Sequence, residues 1–194
     1  MGFGETRTIA AADLPRSADA SHDLRLYLYT FQGSRWAPAA ITEAVVKAAD
    51  LLAPCGVALV HAELRAIEAP RRFHFYFTPN ARTLLRAIEV RKPALFFVED
   101  THNNPAFDAE AIGLSNATNR PELANTVWVA HGARDLPYAL AHELVHVLSD
   151  SGEHSDEPGN LMRPETAPAN RRLSAAQCER LRAHGVANSL LKPR

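Results

Sequence analysis

The chain has 194 residues, 46% hydrophobic and 22% charged, with a formal net charge of -1, a composition expected of a soluble globular domain. At this length one domain can bury roughly 70% of the surface its unfolded chain exposes, so neither repeats nor a disulfide scaffold is required. The 21 Lys and Arg and 22 Asp and Glu form no block of five or six like charges, so nothing suggests a phosphate-tracking surface and nucleic acid is not the expected partner.

Residues 1–23 show little periodicity and read as a flexible lead. Acidic and basic residues interrupt them, so no signal peptide is expected. No apolar stretch approaches the ~18 to 20 residues of a membrane-spanning helix. The chain therefore reads as cytoplasmic as it stands, and secretion by another route stays open. Residues 24–31 (LRLYLYTF) form the first predicted strand, closed by Gly33 and Ser34. A helix is predicted over 38–53, with Ile41, Ala44, Val45, Ala48 and Leu52 on one stripe and Pro54 and Gly56 after it. A strand over 57–66 completes a strand, helix, strand unit.

Phe73, Phe75 and Phe77 alternate with His74 and Tyr76 as a short strand signal or an ordered extension. A helix over 81–90 and a buried strand over 94–99 follow. The polar stretch 100–110 reads as a plain surface loop; the oxygen-bearing residues from Asp100 to Asp108 could hold calcium, although no recognised calcium spacing is present. Residues 111–115 and 126–130 are short strands, and the first is an edge candidate. A helix over 137–150 carries Leu140, Leu144, Val147 and Leu148 as a stripe, and Ser174 to Gln177 has the capping-box form at the start of a last helix. Leu173 and Cys178 are placed to form the accompanying hydrophobic staple. The sum is a mixed α/β (α+β) domain with about five strands and three or four helices. Cys55 and Cys178 lie too far apart for a C-x-x-C site; two buried thiols are expected, the alternative being one bridge and an oxidising compartment.

Nine histidines, as many as the glycines, are an unusual share. His142, Glu143, Leu144, Val145 and His146 spell H-E-x-x-H within the predicted helix. One helical turn puts both imidazoles on one face, where they can converge on a zinc ion, and Glu143 can act as general base toward a metal-bound water. Gly152 can supply the positive φ that ends the helix and turns the chain, so that His154 returns to the metal. Asp150, Glu153 and Asp156 are the competing third ligands. Gly159, Asn160, Leu161 and Met162 then form a tight-turn sequence. His22, His61, His74, His102, His131 and His184 have no ligand spacing among them.

These residues resemble the metzincin clan of zinc endopeptidases, whose signature is H-E-x-x-H-x-x-G-x-x-H followed by a methionine-containing turn. The resemblance implies a zincin fold: a mixed twisted sheet packed on two long helices, an active-site helix, then a small C-terminal subdomain with the Met-turn and a terminal helix. It places a single catalytic domain over 24–194, with an upper subdomain 24–152 and a lower one 153–194. It implies one catalytic Zn2+ on His142, His146 and His154, Glu143 as base, and Met162 as the Met-turn residue. A peptide or protein substrate would lie extended along the edge strand at Ile112, Gly113, Leu114 and Ser115. The spacing departs from the signature, because His154 falls eight residues after His146 where the clan has six, and Ser149 and Gly152 occupy the usual Gly and His positions. A two-residue insertion in the turn explains both shifts. Two other readings use the same residues: a zinc hydrolase of a non-protein amide or of one dedicated substrate, and a catalytically inert zincin-like binding module.

Overall fold

In the computed structural model, residues 1–10, 12–14, 19–101, 111–114 and 119–194 are described. They form nine strands and four α-helices: β1 (Gly2–Thr8), β2 (His22–Phe31), α1 (Pro38–Leu52), β3 (Val57–Glu68), β4 (Phe75–Tyr76), α2 (Thr78–Ala87), β5 (Ala94–Val98), β6 (Asp100–Thr101), β7 (Ala111–Leu114), β8 (Thr126–Ala130), α3 (Leu136–Ser149), α4 (Ala175–Ala187) and β9 (Leu191–Pro193). Seven strands make one mixed sheet in the order β1-β3-β2-β5-β8-β7, with β9 beside β2. β3, β2, β5 and β8 run parallel, whereas β1, β7 and β9 are antiparallel to their neighbours. β4 and β6 form a separate two-stranded pair.

Strict alternation sorts the strands' side chains onto two faces. Leu24, Leu26 and Leu28 of β2, Leu95 and Phe97 of β5, and Val127 and Val129 of β8 join one core with α1, α3 and α4. Tyr29 and Phe31, Ala94, Phe96 and Val98, and Trp128 point the other way into a second core with α2. There Trp128 stacks on Phe96, which in turn stacks on Tyr29. With both faces covered, these central strands have to be apolar nearly throughout.

The sheet is wider than the five strands expected, because both ends of the chain join it. The lead over 1–23 is not without structure: β1 adds to the outer side of β3, with Gly2 opposite Glu68 and Thr8 opposite Glu63. Its side chains are exposed or half-buried, so main-chain pairing carries it and no hydrophobic pattern marks it. β9 lies antiparallel to the start of β2, Leu191 opposite Leu24, and is only 3 residues long.

Three further expectations are corrected. α2 begins three residues earlier than predicted, with Pro79 in the first turn, where a missing N–H costs no helical bond. It also ends earlier, since Ile88 is extended (φ -129°, ψ 144°) and buries its side chain in the second core. The Phe73 to Phe77 signal reduces to a 3-10 turn over Arg71–His74 and the two residues of β4. Cys55 and Cys178 are not free thiols but a disulfide, with Cα atoms 4.9 Å apart, that ties the end of α1 to α4.

The proposed calcium stretch contributes Asp100 and Thr101 to β6, and the rest of it, 102–110 with His102, lies outside the described residues. No helix among the described residues is long and apolar enough to cross a membrane.

Candidate metal centre

α3 opens with Asp135 in the left-handed conformation and Pro137 in its first turn. Ala139, Leu140, Ala141, Leu144, Val145, Val147 and Leu148 are all buried, so the helix is enclosed on nearly every side. Four polar side chains are buried with them: His142, Glu143 and His146, at 3%, 6% and 8% exposure, and Ser149, whose hydroxyl donates to the Val145 carbonyl. Burial of polar groups on this scale requires partners.

Each histidine on the helix has one. His142 donates Nδ1–H to the carbonyl oxygen of Leu161 at 2.8 Å, and His146 donates Nδ1–H to that of Ser151 at 2.6 Å. A carbonyl can only accept, so both protons sit on Nδ1 and both Nε2 lone pairs are left toward the same point. Those two Nε2 atoms are 3.0 Å apart. Two nitrogens bound at 2.0 to 2.1 Å to one tetrahedral ion stand ~3.3 Å apart, so the pair needs only a small adjustment to share zinc. Burial pushes the His142 pKa down to about 4; the Leu161 carbonyl opposes this, and His146 and His154 reinforce it. His146 is lowered as well, first by burial and then by His154, against the Ser151 carbonyl. Both are therefore neutral near pH 7, the ligating form.

The third imidazole arrives from beyond the helix. α3 stops at Asp150, which adopts φ 48° and ψ 47° and sends its N–H back to the carbonyl of His146. The left-handed residue is thus Asp150 rather than Gly152, which is not among the positive-φ positions. Asp tolerates this region because its short polar side chain can bond locally. The reversed chain brings His154 to ring-centroid distances of 5.2 Å from His142 and 5.0 Å from His146. One ligand nitrogen from each of the three lies within 4.8 Å of the others, and among the described residues this is the only such cluster of three His, Cys, Asp or Glu. Asp150, Glu153 and Asp156 do not join it. The Glu153 carboxylate instead pairs with Arg180.

Behind the site lies the turn around Met162. Leu161 and Met162 are buried in the first core. Gly159 sits at φ 78°, and a Cβ there would come within 2.8 Å of the Arg172 guanidinium. Ser155 N–H bonds to the Met162 carbonyl at 2.8 Å, one residue after His154. Asn160 and Gln177, which sequence reasoning did not place at the site, hold this turn: Asn160 Oδ1 accepts from Met162 N–H at 2.9 Å, and Gln177 Oε1 accepts from Asn160 Nδ2 at 3.0 Å. Gln177 was visible as the fourth residue of the capping box, which forms as expected around Ser174. What it also holds was not visible.

The predicted edge strand forms as β7, at one end of the main sheet's order, with Ile112 opposite Trp128 and Leu114 opposite Thr126. α3 packs against it. Ile112 and Leu114 lean on the second core, Gly113 lies between them in the strand, and Ser115 is outside the described residues. Of the other histidines, His22 bonds to Ser21, His74 stacks on Phe31, and His131 meets the edge of Trp36.

No protein-family profile and no curated protein sequence matches the chain. Its structure is similar to the crystal structure of metalloproteinase-II from Bacteroides fragilis, with a TM-score of 0.59, 18% sequence identity and 89% of this chain covered. The match spans 56% of that chain's length. The fold is therefore shared with a metalloproteinase, at an identity where side chains have to speak for themselves.

Proposed function

We propose that the chain is a zinc-dependent endopeptidase of the metzincin clan, with His142, His146 and His154 as ligands, Glu143 as general base and Met162 as the methionine of the turn below the metal. The observation that carries this reading is the convergence of three imidazoles, two of them buried, neutral and held by carbonyls. The fold shared with a metalloproteinase supports it. Three nitrogen ligands suit zinc, and a three-ligand protein site is the catalytic rather than the structural arrangement.

When bound, zinc would supply Lewis acidity and lower the pKa of a water from ~15.7 to ~7. The chain's own residues do the rest. His142 and His146 stay oriented by their carbonyl bonds, and the turn that carries Leu161 cannot shift without moving His142. Glu143, adjacent to His142 on α3, takes the water's proton on its carboxylate and returns it to the leaving amine nitrogen. Ile112, Gly113, Leu114 and Ser115 would offer main-chain groups to an extended peptide, which gives affinity with limited demand on sequence. The disulfide favours an oxidising compartment as the place of action.

The test is Glu143→Ala. Stoichiometric zinc and an unchanged fold are expected, with hydrolysis of a peptide library reduced by about 10²-fold or more. Cleavage at the parental rate would remove Glu143 as the base. A parental chain that takes up less than one zinc when zinc is supplied would overturn the metal site itself.

A further inference from the structure

Asn160 is 4% exposed and every polar atom of its side chain is engaged. Oδ1 accepts from Met162 N–H at 2.9 Å and from Gln177 Nε2 at 3.3 Å, while Nδ2 donates to Gln177 Oε1 at 3.0 Å and to Glu157 Oε2 at 3.3 Å. The two amides thus grip each other reciprocally across the gap between the turn and α4. Gln177 is itself fixed, since its Oε1 also accepts the Ser174 N–H at 2.8 Å in the capping box and the next residue, Cys178, is bridged to Cys55.

The two residues that follow Asn160 are the ones that touch the metal cluster's supports. The Leu161 carbonyl takes the His142 Nδ1 proton, and the Met162 carbonyl takes the N–H of Ser155, the neighbour of His154. One buried amide therefore sets the height of the turn from which the first histidine is oriented and the third is placed. The Leu161 carbonyl is the direct outer partner of His142, and such partners commonly contribute 10- to 100-fold in metal affinity, which is what displacing the turn would put at stake.

We infer that Asn160, braced by Gln177, is a positioning residue for the three-histidine site, coupling the α4 cap to the orientation of His142 and the placement of His154. The inference rests on the reading that this site holds zinc. Asn160→Ala removes the grip, and Gln177→Ala removes only its anchor on α4, which keeps the question open to measurement if the first variant folds poorly. Gln177→Glu keeps the capping box but removes the Nε2 donor to Asn160 Oδ1, which separates the grip on the turn from the helix cap.

The experiment measures zinc affinity by competition with a chromophoric chelator, and the visible absorption of the Co2+-loaded protein, on the full chain and the three variants. Circular dichroism of the metal-free proteins confirms their fold. Expected are a 10- to 100-fold loss of zinc affinity and a changed Co2+ spectrum in Asn160→Ala, with smaller losses in Gln177→Ala and Gln177→Glu. Parental zinc binding that is unchanged in folded Asn160→Ala and Gln177→Ala would overturn the positioning role and leave the zinc site standing. A parental chain that binds no zinc would overturn the zinc reading and this inference with it.

Discussion

His142 donates its Nδ1 proton to the carbonyl oxygen of Leu161, 2.8 Å away and 19 residues farther along the chain. That bond joins the buried helix to the turn that follows it, and it commits the imidazole to one tautomer. His146 repeats the arrangement locally with Ser151. Main-chain carbonyls from two separate turns thus orient both Nε2 atoms of the ligand face.

His154 is the most exposed of the three histidines and belongs to no helix or strand. Its replacement by alanine leaves α3 and both carbonyl bonds in place, so the fold should survive while zinc affinity drops by roughly 100-fold or more, beyond the loss expected from an outer partner. Zinc should also raise the melting temperature of the parental chain, by about 2.7 kcal/mol of stability at 100 times Kd. That increment should shrink in His154→Ala when both proteins are melted at the same zinc concentration.

The Cys55 to Cys178 bridge closes a loop of 123 residues and ties α4 to the end of α1. Cross-linking over such a span restricts the unfolded chain, so reduction or Cys178→Ala should cost about 2 to 5 kcal/mol. Denaturant unfolding with and without reductant measures this.

Glu99 is buried after the end of β5, where it accepts from the Arg35 backbone N–H at 2.7 Å and pairs with the Arg35 guanidinium. Burial alone would raise its pKa, but the Arg35 contacts and the nearby His131 outweigh it and hold the carboxyl below its ordinary value. A lowered folded-state pKa means stability that is present above the unfolded value, near 4.5, and lost as pH falls through the folded one. Arg35→Ala should therefore move acid unfolding to higher pH. Because the guanidinium is 65% exposed, the expected cost at neutral pH is only about 1 kcal/mol. Circular dichroism against pH provides the check.

Gly159 holds φ 78° in the turn before Met162, with the Arg172 guanidinium where a Cβ would go. Gly159→Ala pays left-handed strain of about 1 to 2 kcal/mol and displaces Arg172. Because the same turn carries Leu161, a lowered melting temperature should be accompanied by weaker zinc binding, measured by chelator competition. A stability loss with unchanged zinc affinity would mean that the turn's geometry and the site are independent.

Much of the frame could be read from the residues. β2, α1, β3, β5, β8 and α3 lie within a few residues of their expected bounds, because each has strong alternation or a helical stripe between turn residues. β1 and β9 escaped notice for a shared reason: an exposed edge strand and a three-residue strand are held by main-chain bonds to residues far away, which leave no periodic mark. The disulfide was one of two open readings, since 123 residues of separation say nothing about proximity.

The sequence alone determined that His142 and His146 share a helical face, because their spacing is one turn, and that Glu143 stands beside them. Only the tertiary structure decided that His154 reaches them, that the helix turns at Asp150, and that Asn160 and Gln177 hold the turn behind the site. Those relationships depend on where the chain returns after leaving the helix, and that return is set by packing between segments whose local sequences do not encode one another.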